Sequence, residues 1–241
     1  MSSRADPAIT PVEIHHHRDV QGGTARAAVF GISDGLVSNV GLILGVAGAD
    51  PAPSVVRLAG LAGLIAGAVS MAAGEYNSMK VQQELYQREL DMEREALERF
   101  PHVETVELTQ IYQSKGVEAD QARALAEAMM SDPDRALEAH VREELGISPG
   151  NLGSPMAAAV SSFVAFAIGA LVPLVPWFFI GRGGAIVLSL CLAAVAAVAV
   201  GVATARFTER SRVRTVIRQV AFTMVTAGII YSIGKAVGVT V

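Results

Sequence analysis

Two acids stand where acids are expensive. Asp34, in Gly31-Ile32-Ser33-Asp34-Gly35, and Glu75, in Ser70-Met71-Ala72-Ala73-Gly74-Glu75-Tyr76, each interrupt an apolar run long enough to cross a bilayer. A carboxylate in hydrocarbon costs on the order of 3 kcal/mol or more, so it faces a cavity or a partner and marks a pathway. Ser38 lies one helical turn beyond Asp34, and Met71 and Met79 lie one turn before and after Glu75. That i, i+4 spacing sets Met71, Glu75 and Met79 along one stripe. Two carboxylates, thioethers and a hydroxyl suit a divalent transition metal, because soft sulfur disfavours magnesium and calcium. The competing reading has both acids satisfying backbone or hydroxyl groups between helices, with the methionines as lipid-facing filler.

A second set of candidates lies between Lys80 and Pro155, which holds 16 of the 23 acidic residues. Most acids on amphipathic helices are solvated, so the informative ones fall on the apolar arc at 100° per residue. In the first helix of this segment Val81, Leu85, Met92, Ala96 and Phe100 define the arc, with Glu89 inside it and Glu93 at its border. Glu84, Asp91, Glu95 and Glu98 point the other way. Glu104 and Glu107 fall among Val103, Leu108 and Ile111, and His140 and Glu144 among Ala136, Leu137 and Val141. Unpaired charge in an interior is costly, and a bound cation is the simplest compensation. Carboxylates with one imidazole suit Fe(II), Mn(II) or Zn(II). The competing reading pairs these acids with Arg94, Arg99, Arg123 or Arg142. A di-iron oxidase bundle would need a pair of Glu-x-x-His motifs, which is absent.

The elements that must position these residues follow from composition. The chain has 241 residues, 51% hydrophobic and 17% charged, with a mean hydropathy of +0.42. That excludes disorder, and the lone Cys191 excludes a disulfide scaffold. A net charge of -4 leaves no basic footprint for nucleic acid. Five stretches reach the roughly 20 residues a membrane helix needs: 26–48, 55–79, 156–179, 184–205 and 216–238. The polar stretch 1–25 does not read as a signal peptide and forms an N-terminal tail. Sixteen of 19 Lys and Arg fall on one side if that tail is cytoplasmic, which makes 80–155 a cytoplasmic insert and places the C-terminus outside. Pro101, Gly116, Pro133 and Gly146 divide the insert into helices over 78–99, 103–115, 118–130 and 134–145, the first continuous with the second span. Small residues Gly60, Gly63, Gly67, Ser70 and Gly74 ridge that span, and Gly63 to Gly67 is a GxxxG match that fits a tight helix pair or a dimer seam. The expected fold is all-α: transmembrane helices 1–2 over 26–79, a helical metal-binding domain over 80–155, and transmembrane helices 3–5 over 156–241.

These residues carry a resemblance. Asp34-Gly35-Leu36-Val37-Ser38 and Ser70-Met71-Ala72-Ala73-Gly74-Glu75-Tyr76 are its most specific pieces. Glu107-Leu108-Thr109-Gln110-Ile111-Tyr112, Lys115-Gly116, Val141-Arg142-Glu143-Glu144-Leu145-Gly146 and Phe166-Ala167-Ile168-Gly169-Ala170-Leu171-Val172-Pro173 complete it. The chain resembles the vacuolar iron transporter family from about Gly22 onward. The resemblance implies a homodimer of five-helix subunits with a path along the dimer interface, and a cytoplasmic helical domain that collects metal. Asp34, Met71 and Glu75 would then belong to the membrane path, and Glu104, Glu107 and Glu144 to the cytoplasmic ligands. His140 stands where the family pattern has methionine. Ala96 stands where a glutamate paired with Glu93 is expected, leaving Glu89 or Glu95 as substitutes.

The expected activity is secondary antiport of Fe2+ or Mn2+ out of the cytoplasm against protons, with Zn2+ as a further candidate ion. No covalent chemistry is implied, so the chain does not read as an enzyme, and no Walker loop points to ATP drive. The expected setting is a lipid bilayer, specifically a bacterial inner membrane. The alternative function is a membrane-anchored metal buffer or sensor, although a sensor has no need of acids inside its spans.

Overall fold

The computed structural model describes residues 23–144, 146 and 153–238. The expected tail over 1–25 lies outside them, apart from its last three residues, which already belong to the first helix. Nine helices are present among the described residues: α1 (Gly23–Gly48), α2 (Pro53–Arg99), α3 (Pro101–Ser114), α4 (Ala119–Met130), α5 (Pro133–Glu144), α6 (Pro155–Leu174), α7 (Pro176–Phe179), α8 (Arg182–Phe207) and α9 (Arg212–Gly238). Five of them, α1, α2, α6, α8 and α9, are long and apolar enough to cross a membrane. The fold is all-α, with the helical insert between the second and third spans.

Proline explains most of the punctuation. It opens α2, α3, α5, α6 and α7, where its missing N–H is one that no helix would satisfy and its φ is already helical. Ser154 caps α6 by accepting from the Ala157 N–H, and Asp132 caps α5 by accepting from the Asp134 and Arg135 N–H groups. The third span is shorter than the expected 156–179. Pro173 and Pro176 end α6 at Leu174 and set α7 apart as a single turn. The Pro173 carbonyl accepts a hydrogen bond from Ser189 Oγ at 2.7 Å, and Ser189 in turn accepts from Trp177 Nε1 at 3.1 Å. The break is thereby tied to α8.

Helix α1 is the central post, touching α6, α9, α2 and α8. Gly35 and Gly169 let α1 and α6 approach closely: a Cβ on Gly35 would meet the Phe166 carbonyl, and one on Gly169 the Ile32 carbonyl. The core beside this seam is aliphatic, with Leu36, Val40 and Leu44 against Ala193, Ala197 and Ala227. The GxxxG face of α2 serves the intrachain pair. Gly63 faces Leu42 and Asn39, and Gly67 faces Phe166.

Helix α2 is unbroken for 47 residues, about 70 Å at 1.5 Å per residue. Its last stretch, residues 80–99, makes up the insert with α3, α4 and α5. The insert core is small, made of Leu108, Tyr112, Ala122, Ala126 and Ala139. Its modest size turns two of the expected arcs. In α3 the buried face is Glu104, Leu108 and Tyr112, while Val103 is exposed. In α2, Val81, Leu85, Met92 and Phe100 are exposed and Glu93 lies partly buried on another face. The α5 arc holds at Ala136 and Val141, with His140 buried beside them.

Candidate metal sites

Three helices converge at the end of α2 away from the membrane spans. Glu93 comes from α2, Glu104 from the first turn of α3, and His140 and Glu144 from successive turns of α5. One ligand atom from each lies within 4.8 Å of the other three. Donors around an ion at zinc-like bond lengths sit no more than about 4.2 Å apart, so small side-chain rotations would close this group on a cation.

The burial of two members sets the group apart from a solvated acid cluster, with Glu93 partly buried and Glu144 at the exposed rim. His140 is fully buried and Glu104 is 8% exposed. His140 Nδ1 lies 2.9 Å from the Ala136 carbonyl oxygen, and Nε2 lies 3.2 Å from the Glu104 carbonyl oxygen and 3.9 Å from Glu104 Oε2. Each ring nitrogen faces a backbone carbonyl and donates there when protonated; with the proton on Nδ1, Nε2 is the ring atom nearest Glu104 Oε2 and the one a cation would take. Glu93 Oε1 is buried with no hydrogen-bond partner among the described residues. An orphaned buried carboxylate oxygen in a ring of acids is what a cation would satisfy.

The electrostatics agree. Glu93 stands fourteen residues beyond Met79, about 21 Å past the apolar stretch of α2. Its pKa is raised, first by burial and then by the charges of Glu104 and Glu107, with His140 opposing. Glu144, at the exposed rim, is pushed up to about 7 by desolvation first, then by repulsion from Glu93 and Glu107. The arginines that might have neutralised the group are engaged elsewhere. Arg94 pairs with Asp91, Arg99 with Glu95, Arg123 with Glu127 and Arg142 with Glu138, each within its own helix. Glu107 is exposed and outside the four-residue group, though near enough to act on two of its members. Glu89 is partly buried one turn before Glu93 and is not part of the group.

The second site lies between α1 and α2. A cavity of about 470 Å³ is lined by Asp34 and Ser38 from α1, by Met71 and Glu75 from α2, and by Asn39 and Gly63 further in. Met79 does not join it. That thioether is buried against Ala27 and Ala158 instead. Ser38 Oγ donates to the Asp34 backbone carbonyl at 2.6 Å, which leaves its lone pairs free. Glu75 accepts from Arg26 Nη2 at 3.2 Å. In the sequence Arg26 is one more cation at the start of a span. It lies two turns before Asp34 on the same helix, a spacing visible in the sequence, but its pairing with a residue 49 positions away is not. Asp34 also borders a cavity of about 410 Å³ on the other side of α1, lined by Ser33, Arg218 and Gln219. There Ser33 and Gln219 exchange hydrogen bonds at 2.8 and 3.1 Å.

Residues 25–235 match the model of the VIT family. The chain belongs to this family. Vacuolar iron transporter 1 of Eucalyptus grandis is 30% identical over 217 residues, covering 90% of this chain and 87% of its own. The protein of the same name from Oryza sativa subsp. japonica is 30% identical over 227 residues, with 92% and 90% covered. The vacuolar iron transporter of Acanthamoeba castellanii is 37% identical over 166 residues, with 66% and 60% covered. With its five apolar helices, this VIT family chain is an integral membrane protein.

Proposed function

We propose that the chain carries Fe(II) or Mn(II) out of the cytoplasm through the cavity between α1 and α2, in exchange for protons. The observation that carries the reading is α2 itself. One unbroken helix brings Glu93 to the insert cluster and Met71 and Glu75 to the membrane cavity. Eighteen residues, about 27 Å of helix, separate Glu75 from Glu93. Similarity to proteins named vacuolar iron transporters favours iron as cargo.

In this reading Glu93, Glu104, His140 and Glu144 capture the ion, with Glu107 and Glu89 as nearby acids that raise its local concentration. Zn(II) fits the same donor set. Asp34, Met71 and Glu75 receive the ion in the membrane. A carboxylate there holds metal or proton but not both well, which couples the two flows. The excess of Lys and Arg on the side of the insert supports a cytoplasmic insert and an outside C-terminus.

The assembly is a homodimer. Val81, Leu85 and Met92 are exposed at 54%, 53% and 52% on the part of α2 that runs past the bilayer. No described residue covers them there, and their gaps of four and seven residues match a coiled-coil seam.

Uptake of Mn(II) into proteoliposomes under an imposed pH gradient tests the proposal. Glu75→Gln and Asp34→Asn are expected to abolish uptake while leaving Mn(II) binding at the insert intact. Wild-type uptake by both variants would refute the path. Metal binding by the wild type without any ion flux would favour a buffer or sensor.

A further inference from the structure

Asn39 is 2% exposed, and its two amide ends have different fates. Nδ2 donates to the Ala170 backbone carbonyl of α6 at 2.6 Å. Oδ1 is buried without a hydrogen-bond partner among the described residues. The amide has no better orientation, because exchanging its ends would set oxygen against the Ala170 carbonyl. An acceptor held this way costs roughly 1–3 kcal/mol unless something satisfies it.

Oδ1 is aimed at the wall shared by α1 and α2. Asn39 and Gly63 both line the membrane cavity, and a Cβ built on Gly63 would sit 2.9 Å from this oxygen. Only a glycine lets α2 come this close to the oxygen, which lies beneath the cavity wall. Ser38 adds a hydroxyl whose proton is already committed to the Asp34 carbonyl. Two neutral oxygens therefore belong to the same stretch of cavity wall. Along α1 they lie four and five residues beyond Asp34, about 6–7.5 Å further from the insert. Along α2, Gly63 is twelve residues beyond Glu75, about 18 Å.

We infer that the Asn39 side-chain carbonyl is an oxygen ligand for the transported cation, forming with Ser38 Oγ a neutral station deeper in the cavity than Asp34 and Glu75. The inference rests on the reading of this cavity as the cation path. A neutral station suits the far end of such a path, away from the insert. The carboxylates attract the ion, and a ligand without charge holds it loosely enough to let it leave.

The test measures the apparent KM for Mn(II) uptake, with rates normalised to folded protein, for the full-length wild type, Asn39→Leu, Gly63→Ala and Glu75→Gln. Asn39→Leu removes the oxygen. Gly63→Ala covers it from the α2 side while keeping the bond to Ala170, and presses otherwise only on the flexible end of Leu42. Each is expected to raise KM about tenfold, the lower end of the cost of losing a group that supports a metal site. A helix-packing role alone would lower the melting temperature or the folded yield and leave KM unmoved. A KM within about twofold of wild type in folded Asn39→Leu overturns the inference. If that variant does not fold, Gly63→Ala decides by the same criterion. Loss of uptake in Glu75→Gln with unchanged KM in the other two sinks the Asn39 station alone, whereas wild-type uptake by Glu75→Gln sinks the path itself.

Discussion

Glu144 titrates near pH 7 because it sits at the rim of a partly dehydrated group of like charges. A metal ion at the insert cluster must compete with that proton. With a pKa of about 7, the carboxylate is roughly one-tenth ionised at pH 6 and nine-tenths at pH 8. Apparent affinity through this group alone therefore tightens about tenfold across the interval, near 1.4 kcal/mol. The raised pKa of Glu93 steepens the dependence toward the acidic end. The assay is titration of Mn(II) into the full-length protein in detergent at pH 6, 7 and 8, with proton release followed in weak buffer. About one proton per ion is expected at pH 6. Glu144→Gln is expected to weaken binding at pH 8 and to flatten the profile between pH 7 and 8. A wild-type affinity that does not change from pH 6 to 8, or a slope between pH 7 and 8 that survives in Glu144→Gln, would refute the assignment.

The same titration has a consequence for stability, with a definite sign. The folded carboxyl of Glu144 keeps its proton up to about pH 7, whereas the ordinary value is 4.5. Between those values the folded chain binds more protons than the unfolded one, so the metal-free protein loses stability as pH rises through the window. Mn(II) reverses the trend by binding the ionised, folded form. Thermal melts with chelator and with Mn(II) at pH 5.5 and 8 are expected to cross in this way.

Two other perturbations test separate parts of the molecule. Arg26→Gln frees Glu75 from its 3.2 Å ion pair; because Arg26 is exposed the pair contributes up to about 1 kcal/mol, so the KM for Mn(II) uptake is expected to fall by up to about fivefold, and a rise in KM would show that the arginine assists entry instead of competing with the ion. Leu85→Glu with Met92→Glu places charge in the exposed stripe of α2 and is expected to convert dimers to monomers in light scattering, while dimers that persist in the double variant would place the seam elsewhere.

The spans were legible because length and hydropathy alone define them, and α2 could be traced into the insert because no proline or glycine interrupts it between Glu75 and Arg99. Insert boundaries fell at Pro101, Gly116, Pro133 and Gly146, the two glycines having φ of +92° and +65°, a region most other residues avoid. The facing of the insert helices was less legible. Periodicity identifies an apolar arc but not what covers it, and here α2 turns Val81, Leu85 and Met92 outward while Leu108 and Tyr112 form a core too small to use them. Glu93 and Glu104 stand out in the sequence because acids break an apolar pattern, although the apolar residues around them turn out to be largely exposed. Arg26 and Asn39 broke none, since a cation at a helix end and an amide beside Ser38 are ordinary. Their importance comes from α1, α2 and α6 meeting, a tertiary fact.

That meeting also changes how the membrane acids relate to each other. Both acids read as residues near the membrane midplane. In the structure Asp34 is close to the middle of α1, but Glu75 is only four residues, about 6 Å, from the inner end of the apolar stretch of α2, beside an exposed Arg26. In the proposed path the two carboxylates, which line one cavity, would then act as successive positions along it. Glu75 would meet an arriving ion beside the guanidinium paired with it, and Asp34 would meet it further along α1, where Arg218 lines the cavity on the other face of that helix. Asn39 extends the order by one more step in which the ligand carries no charge. A graded series of this kind needs one side of the cavity to be a continuous helix, so that the spacing between capture in the insert and entry into the membrane is fixed. Helix α2 supplies that continuity, and a proline placed between Lys80 and Glu89 would break it without touching a ligand.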